Sequence, residues 1–378
     1  MIYREDTSVS ARREEIEIKL SRVRNLLYRE EKKALVLMRQ NNFSWITAGG
    51  KDQVTIYLEA GVATILITET AQYAITSIIE EARMREEEKL EELGFKIISQ
   101  PWYEDKTAQI VADLVGDDLQ YVLSDMPLGN AQVRNDLIKP LRYSLTDNEL
   151  GRYMYLGETL SRNLENYIVT LKPGMSEYEI TGGLCEALWK DNIEQMLFLV
   201  GTDERARLYR HAIPTAKKLD KQLVISVNGK YKGLITTVTR MIHFGKNEQL
   251  EHFYQDAVNV DVDTLSTLQI GTSDLNAYHA NRNAYCSKGY EAMWAAHSQG
   301  GAQGYDNRDY TITEQNYGIT QRNQCYCFNP VIHGAKTEDA VIVTDDGLLE
   351  VTRPVSFPVI ECEVNGKVIR KPGIQFID

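Results

Sequence analysis

The sequence predicts an α/β (α+β) protein of two domains, and three features of the chain lead to this prediction. Short apolar runs alternate with helical periodicity as far as residue 143. Beyond that point, a unit of helix, turn, helix and strands occurs twice. The length of 378 residues also exceeds what one hydrophobic core usually organises. We therefore expect one domain over residues 1–143 and another over residues 144–378.

The first domain has strands and helices in alternation. Its first helix is predicted over residues 11–28, because apolar positions recur there at spacings of three and four. Apolar runs rich in β-branched residues predict strands at residues 34–38, 62–68, 95–98 and 121–124. Two more helices are predicted over residues 77–93, where Gly94 supplies a stop signal, and over residues 107–115.

The second domain contains a faint internal repeat. A capping box at Thr146 and Glu149 begins a long helix with one apolar face, and a second box at Ser176 and Glu179 begins the next. The segment LKPGMSE at residues 171–177 joins these helices, and LQIGTSD at residues 268–274 repeats its pattern. Each copy continues into a β-rich stretch. Two such units can pack their sheets into one curved surface with the helices outside.

Composition and charge exclude several classes of partner. The net charge is -12 and no basic stripe interrupts it, so we expect no binding to nucleic acid or to anionic lipid. No apolar stretch is long enough to predict a transmembrane helix, and the N-terminal residues do not resemble a signal peptide. A cytoplasmic location is therefore expected. The five cysteines match no disulfide framework and are expected to be reduced.

Segments between residues 42 and 343 resemble, in the correct order, those of the creatinase and Xaa-Pro peptidase (pita-bread) family. NFSWITAGG at residues 42–50 is similar to an N-terminal N-F-x-W-L-T-G-G segment. HAIPT at residues 211–215 resembles H-x-x-P-T, and residues 223–240 resemble V-L-I-D-F-G…Y-x-G-Y-x-S-D-I-T-R-T. Residues 297–310 resemble H-H-Q-G-G…G-Y…R-E-Y, and residues 328–343 resemble I-E-P followed by R-x-E-D-T-x-x-V.

The resemblance implies an architecture and an assembly. It implies a creatinase-like N-terminal domain, a pita-bread C-terminal domain with a pseudo-twofold repeat, and a homodimer. It also implies a small molecule or short peptide as the ligand.

The resemblance further implies five metal-ligand positions, at which metallopeptidases of this family place two Asp, one His and two Glu around two divalent ions. Here these positions hold, in chain order, Ser226, Thr237, Ser298, Asn329 and Glu338. Two close dications repel each other and need carboxylates to offset the repulsion. Ser, Thr and Asn are weak ligands for transition metals. We therefore expect no Mn, Co or Zn centre and no other cofactor.

Two other acidic sets in the sequence are alternative candidates for metal ligands. A register error of one or two residues would make Asp220 and Asp339 the ligands, although the matches on both sides argue against it. Asp261 and Asp263 form a D-x-D pair in a predicted helix, where residues two apart do not face each other. We interpret that pair as a solvated helix face.

The residues that remain still suggest chemistry. Creatinase, as a family feature, works without metal and shuttles protons through the histidine of H-x-x-P, which corresponds to His211. The catalytic candidates are therefore His211 and Glu338. The candidates for substrate binding are His297, Arg240, Arg308 and Tyr305. As structural alternatives, His211 would hydrogen-bond a neighbouring loop, and Glu338 would pair with Arg240 in a buried bridge.

Three hypotheses for the function follow. The first is a metal-independent hydrolase or lyase acting on a small peptide-like, amide or guanidino compound, which needs His211 and Glu338 in one cavity. The second is a non-catalytic peptide-binding or assembly module. The third is an active Xaa-Pro peptidase with an unusual single-metal site, which needs ligands that the sequence does not reveal.

Overall fold

The computed structural model of the chain describes residues 3–116 and 118–378. They form two compact units with mixed α and β structure. The first contains the described residues as far as Gly151 together with Lys232–Leu234, and the second contains Arg152–Tyr231 and Ile235–Asp378. The domain boundary predicted between residues 143 and 144 stays a prediction, because compactness alone does not define the end of a folding domain.

The first unit alternates strands and helices, as the sequence predicts. Its helices are α1 (Val9–Arg29), α2 (Gln40–Ile46), α3 (Glu81–Glu86), α4 (Thr107–Val115) and α5 (Asn135–Ile138). Its strands are β1 (Ala34–Arg39), β2 (Ala60–Thr68), β3 (Gln72–Ser77), β4 (Lys96–Gln100), β5 (Val122–Ser124) and β6 (Gln132–Val133). They form a mixed sheet in the order β4-β3-β2-β1-β5-β6. The apolar residues of β1, β2 and β5 are buried with Val111 of α4.

The helix predicted over residues 77–93 is wrong in extent. Residues Gln72–Ser77 form strand β3, and the helix that follows covers only Glu81–Glu86. Glu87 and Glu88 follow, and Lys89 has a φ of 59°. A left-handed residue cannot continue an α-helix, so the chain turns there. The periodicity of the sequence did not reveal this turn.

The second unit contains the predicted repeat. Its helices are α6 (Asp147–Ile168), which belongs to this unit from Arg152 onwards, α7 (Glu177–Lys190), α8 (Glu204–Leu208), α9 (Glu248–Leu265), α10 (Leu275–Ser287) and α11 (Glu291–Ala295). Its strands are β7 (Glu194–Thr202), β8 (Gln222–Tyr231), β9 (Leu234–Phe244), β10 (Gly300–Gln303), β11 (Tyr310–Thr311), β12 (Gln324–Phe328), β13 (Val331–Ile332), β14 (Ala335–Lys336), β15 (Asp339–Thr344), β16 (Gly347–Glu350), β17 (Val359–Val364), β18 (Lys367–Pro372) and β19 (Gln375–Ile377).

One large sheet organises this unit. Its path is β11-β10-β12-β15-β9-β8-β7, with β16 beside β15 and β19 beside β9. Long helices precede the strands of each half: α6 and α7 before β7 to β9, and α9 and α10 before β10 to β15. Both predicted capping boxes form, at Thr146 with Glu149 and at Ser176 with Glu179. The central strands β8, β9, β12 and β15 are buried almost throughout.

Among the described residues, every helix is too short or too polar to cross a lipid bilayer.

Candidate ligand site in the second unit

Two neighbouring strands carry charged residues to opposite faces of the sheet. Strands β9 and β15 pair so that Val238 lies opposite Asp339. Because successive strand residues point to opposite faces, Thr239 and Arg240 diverge, and so do Glu338 and Asp339. Hydrogen bonds then join Thr239 to Glu338 and Arg240 to Asp339. The sheet therefore separates two buried ionic clusters that neighbour each other in sequence.

Lys336 is the central residue of the first cluster. Its Nζ lies 2.8 Å from Ser226 Oγ and 2.8 Å from Glu338 Oε2, and its side chain is only 8% exposed. Ser226 and Glu338 are the first and last of the five positions to which the resemblance assigns metal ligands. An ammonium group of the protein thus lies between two of these positions.

Glu338 has a second cationic partner in Arg308. The Arg308 Nη2 atom lies 3.2 Å from Glu338 Oε1, and the Thr239 hydroxyl donates to Glu338 Oε2 at 3.0 Å. Burial alone would raise the pKa of Glu338, but the charges of Lys336 and Arg308 and these hydrogen bonds hold that pKa below its ordinary value. Glu338 is therefore an ionised carboxylate with two cations against it.

The hydrogen-bond directions around Ser226 follow from this charge state. A carboxylate only accepts, so Thr239 donates its proton to Glu338 and must accept from Ser226, whose Oγ is 2.6 Å from Thr239 Oγ1. Ser226 then accepts from the Lys336 ammonium, which has no lone pair to offer. The hydroxyl proton of Ser226 is directed towards Thr239 and away from Lys336.

The side chains at two of the other three positions assigned by the resemblance are also engaged in hydrogen bonds. Thr237 is buried, and its Oγ1 accepts from Gln303 Nε2 at 2.8 Å. With its amide nitrogen facing two backbone carbonyls, Asn329 donates to the oxygens of Ser298 and Gln299 at 2.9 and 3.0 Å. The Ser298 side chain is exposed. These groups link neighbouring loops and strands, and none of them adds negative charge.

A pair of divalent ions does not suit this donor set. Hydroxyls and an amide supply no charge, and the single carboxylate already neutralises protein cations. A divalent ion at Ser226 and Glu338 would also face the Lys336 ammonium at short range, where like charges repel strongly. Within residues 3–116 and 118–378, no three His, Cys, Asp or Glu side chains converge in a way that would hold a metal ion.

The second cluster, on the opposite face, contains Arg240. Its guanidinium is fully buried and donates to oxygens of Ser161, Glu165, Thr239, Asp339 and Thr352. All five N–H groups are therefore used inside the protein, and none is available to a substrate, contrary to the role predicted for Arg240. The alternative bridge between Arg240 and Glu338 is also wrong, because Arg240 pairs with the next residue, Asp339.

Asp261 belongs to the same interior. The sequence interpretation of a solvated helix face is wrong for Asp261, because it is fully buried with Lys371 Nζ at 2.5 Å from its Oδ2. Burial is the main cause that raises the pKa of Asp261.

The two predicted histidines lie side by side. The rings of His211 and His297 meet edge to face, with centroids 5.5 Å apart. His211 is exposed and His297 is half-buried. Burial, followed by the charge of Lys336, lowers the pKa of His297 to about 4, so its imidazole is neutral at neutral pH. In the described part of the chain, no hydrogen bond connects His211 with Glu338.

The remaining predicted residues differ in accessibility. The Arg308 side chain is 20% exposed and is bound to Glu338. Tyr305 is 1% exposed, and its hydroxyl accepts from Arg152 Nη1 at 3.4 Å. Tyr305 is therefore a buried packing residue beneath the surface of this unit.

A cavity opens beside the first cluster. It is small and partly open to solvent, with about 30 Å³ of space that the centre of a water-sized sphere can occupy. Ser226, His297 and Lys336 line it, together with Arg210 and aliphatic side chains. Sequence reasoning missed Lys336 and Arg210. A usable signal for Lys336 was its position two residues before Glu338, which keeps a cation close to that acid in sequence.

Known proteins share this architecture. A chain described as an Xaa-Pro dipeptidase from Bacillus anthracis superposes with a TM-score of 0.75 at 17% identity, covering 96% of this chain and 100% of that one. The N-terminal domain of FACT complex subunit SPT16 from Cicer arietinum superposes with a TM-score of 0.66 at 14% identity, covering 90% and 97%. At these identities the likeness shows the fold alone, and it is the fold of Xaa-Pro peptidases.

The sequence comparison gives the family. The profile of Metallopeptidase family M24 matches residues 157–345, and the chain belongs to this family. An uncharacterized peptidase from Staphylococcus aureus is 21% identical over 222 residues, which cover 56% of this chain. The match spans 62% of the length of that curated relative. The resemblance and the fold class predicted from the sequence are confirmed.

Proposed function

We propose that this chain is a metal-independent binding protein for small peptide-like ligands, built on the Xaa-Pro peptidase fold. One observation supports the proposal above the others. Lys336 Nζ lies 2.8 Å from Ser226 Oγ and 2.8 Å from Glu338 Oε2, where the resemblance assigns metal ligands. A protein cation there supplies the positive charge that metal ions supply in metallopeptidases, but it brings no activated water.

The geometry also argues against catalysis by the predicted pair. A metal-free hydrolase needs His211 and Glu338 in one cavity, yet His211 is exposed and Glu338 is held by Lys336, Arg308 and Thr239. A carboxylate between two cations is a poor general base, because its proton affinity is lowered. Among the described residues, no hydrogen bond or ion pair joins the neighbouring histidine, His297, to Glu338.

The contact between Ser226 and Lys336 invites comparison with Ser–Lys hydrolases. In such a pair the lysine must be neutral to accept the serine proton. Here the ionised Glu338 lies 2.8 Å from Lys336 Nζ and favours the ammonium form. The Ser226 proton is also directed to Thr239. We therefore do not assign Ser226 as a nucleophile.

The neighbours in structure are compatible with a binding role. This fold occurs in chains described as dipeptidases and also in a chain described as a subunit of the FACT complex. The fold therefore does not by itself imply peptidase activity, and the function must be inferred from the residues of the site.

The proposal is tested by measuring binding and turnover in the same samples. The purified full-length chain is mixed with Xaa-Pro dipeptides, tripeptides and guanidino compounds, with chelator or with added Mn²⁺ or Co²⁺. We expect calorimetric binding of some peptides without release of amino acids and without an effect of metal. Hydrolysis that depends on added metal would instead support the single-metal peptidase hypothesis.

A metal-independent hydrolase is the second candidate, and the contact between His211 and His297 beside the cavity favours it. This candidate predicts turnover in the presence of chelator that decreases in His211→Ala. Labelling with a fluorophosphonate probe tests Ser226 separately, with Ser226→Ala as the control. The binding proposal expects no turnover and no labelling at Ser226.

The assembly and the location of the protein remain proposals as well. We propose a homodimer and a cytoplasmic location, on the basis of the family resemblance and the sequence. Light scattering of the purified chain at several concentrations tests the first, and a monomer at all of them would contradict it.

A further inference from the structure

The cavity beside Lys336 has an uneven charge distribution. The charged side chains that line it, among the described residues, are Arg210 and Lys336, and both are cations. Glu338 pairs with Lys336 but does not line the cavity, and it is shared with Arg308. Within this cluster the one carboxylate of Glu338 therefore faces the two cations Lys336 and Arg308. Arg210 adds a third positive charge. The wall of the cavity presents net positive charge.

Arg210 differs from Arg205, which lies in the preceding helix α8. Arg205 donates to Glu177 Oε1 at 3.0 Å and to the Ile213 carbonyl at 2.7 Å. Arg210 is half-buried, and no hydrogen bond or ion pair to another described residue occupies its guanidinium. A guanidinium has five donors in a planar fork that fits a carboxylate, so an unpaired arginine on a cavity wall is suited to an anionic ligand.

Two further features of the lining agree with such a ligand. His297 Nδ1 is buried without a hydrogen-bond partner in the described part of the chain, so it is free to bond a ligand. The remaining wall is largely aliphatic, and it is formed by Leu199, Ala206, Ala212, Val224 and Val331. A small cavity whose wall combines cations with aliphatic groups matches a carboxylate attached to a short apolar group.

We propose that this cavity binds a carboxylate attached to a short aliphatic group, with Arg210 and Lys336 recognising the charge. The C-terminal residue of a peptide and a free N-acyl amino acid share this chemistry. The inference rests on the proposed function, since it names the class of ligand for the same site. It replaces the guanidino ligand that the sequence suggested, because a cationic ligand would meet two like charges.

Calorimetry with neutral and anionic forms of one molecule tests the inference. The probes are N-acetyl-L-alanine, N-acetyl-L-alanine amide and the tripeptide Ala-Ala-Ala, each at millimolar concentration with the full chain. We expect the acid to bind at least about tenfold more tightly than the amide, a difference set by the charge alone. Binding of the tripeptide comparable to that of the acid would identify peptide C-termini as a source, and much weaker binding would identify the free acid.

Variants then assign the charge recognition to residues. We expect Arg210→Gln to weaken binding of the acid about tenfold. Arg207→Gln is the matched control, because Arg207 is exposed and does not line the cavity, and its affinity should equal that of the native chain. Lys336→Met should weaken binding further. If Lys336→Met does not fold, Arg210→Gln still tests the assignment.

The outcomes separate this inference from the proposed function. Equal binding of acid and amide, no binding of the acid, or native affinity in Arg210→Gln would overturn the carboxylate assignment. If neutral peptides still bind without turnover, the proposed function stands and only the ligand class is wrong. If the probes are hydrolysed, the proposed function itself fails.

Discussion

Glu338 and Asp339 are adjacent acids at the start of one strand, but their surroundings differ. Glu338 belongs to the candidate site and Asp339 belongs to the buried core. Glu338 faces the cavity side, where one carboxylate meets the two cations Lys336 and Arg308. Asp339 faces the interior, where Arg240 and Lys371 meet three carboxylates, those of Glu165, Asp261 and Asp339. The first cluster therefore has an excess of positive charge and the second an excess of negative charge.

The difference shows how the two clusters serve the molecule. The interior cluster is closed, and its excess charge is relieved by a raised carboxyl pKa, since burial raises the pKa of Asp339 to about 6. The cavity cluster lies beside open space, so its excess charge is available to a ligand. Ionic pairing of the same kind thus neutralises buried charges in the core and leaves an excess of positive charge beside the cavity.

The largest expected effect comes from removing the central arginine of the interior cluster. Arg240→Met leaves Glu165 and Asp339 buried without their cation, which should lower the free energy of unfolding by about 3–5 kcal/mol. In Arg308→Met, Glu338 keeps Lys336, and the expected loss is about 1–2 kcal/mol. Urea denaturation monitored by fluorescence measures both losses. Equal losses would contradict the distinction between the clusters.

The second prediction concerns the pH dependence of stability at Asp339. Its folded pKa of about 6 exceeds the ordinary value of 3.8, so its stabilising contribution is complete below pH 3.8 and is lost as pH rises through 6. The stability of the native chain relative to Asp339→Asn should therefore fall between these values, by on the order of 3 kcal/mol at about 1.4 kcal/mol per pH unit. A constant difference would show that Asp339 titrates normally.

Glu338 should behave in the opposite direction. Its folded pKa is lowered, so its contribution is present above the ordinary value of 4.5 and is lost as pH falls through the folded pKa. The advantage of the native chain over Glu338→Gln should therefore shrink on acidification, whereas the advantage over Asp339→Asn grows. Denaturation series over the same buffers compare the two variants. The same sign for both would mean that the two acids share one environment.

The smallest effect is expected at Ser226. Ser226→Ala removes one acceptor from Lys336 and the donor to Thr239, while Glu338 still holds both partners. We expect a loss of about 1 kcal/mol in the free energy of unfolding. A loss as large as that of Arg240→Met would mean that Ser226 is part of the closed core and not of the cavity wall.

The sequence predicted much of the fold because its signals are local. The capping boxes at Ser176 and Thr146 and the repeated turn near Leu268 each carry their geometry within a few residues. The helix predicted over residues 77–93 failed because a left-handed turn at Lys89 has no periodic signature. The order of motifs then gave the family, since it does not depend on exact element boundaries.

The site was less predictable, because its partners depend on strand register. The sequence interpretation paired Arg240 with Glu338, but a shift of one residue moves a side chain to the other face of a sheet. Arg240 therefore pairs with Asp339, and Glu338 meets Lys336. Arg210 lies in a loop, and only the fold shows that it lines the same cavity as Lys336.

Metal content tests most directly the claim that protein cations take the place of the metal ions. The purified chain is equilibrated with Mn²⁺, Co²⁺ or Zn²⁺, freed of excess ion and analysed by mass spectrometry of the elements, with anomalous scattering from crystals grown in the same ions. We predict far less than one ion per chain and the Lys336 ammonium between Ser226 and Glu338. Two ordered ions per chain at these residues, with Lys336 displaced, would contradict the account.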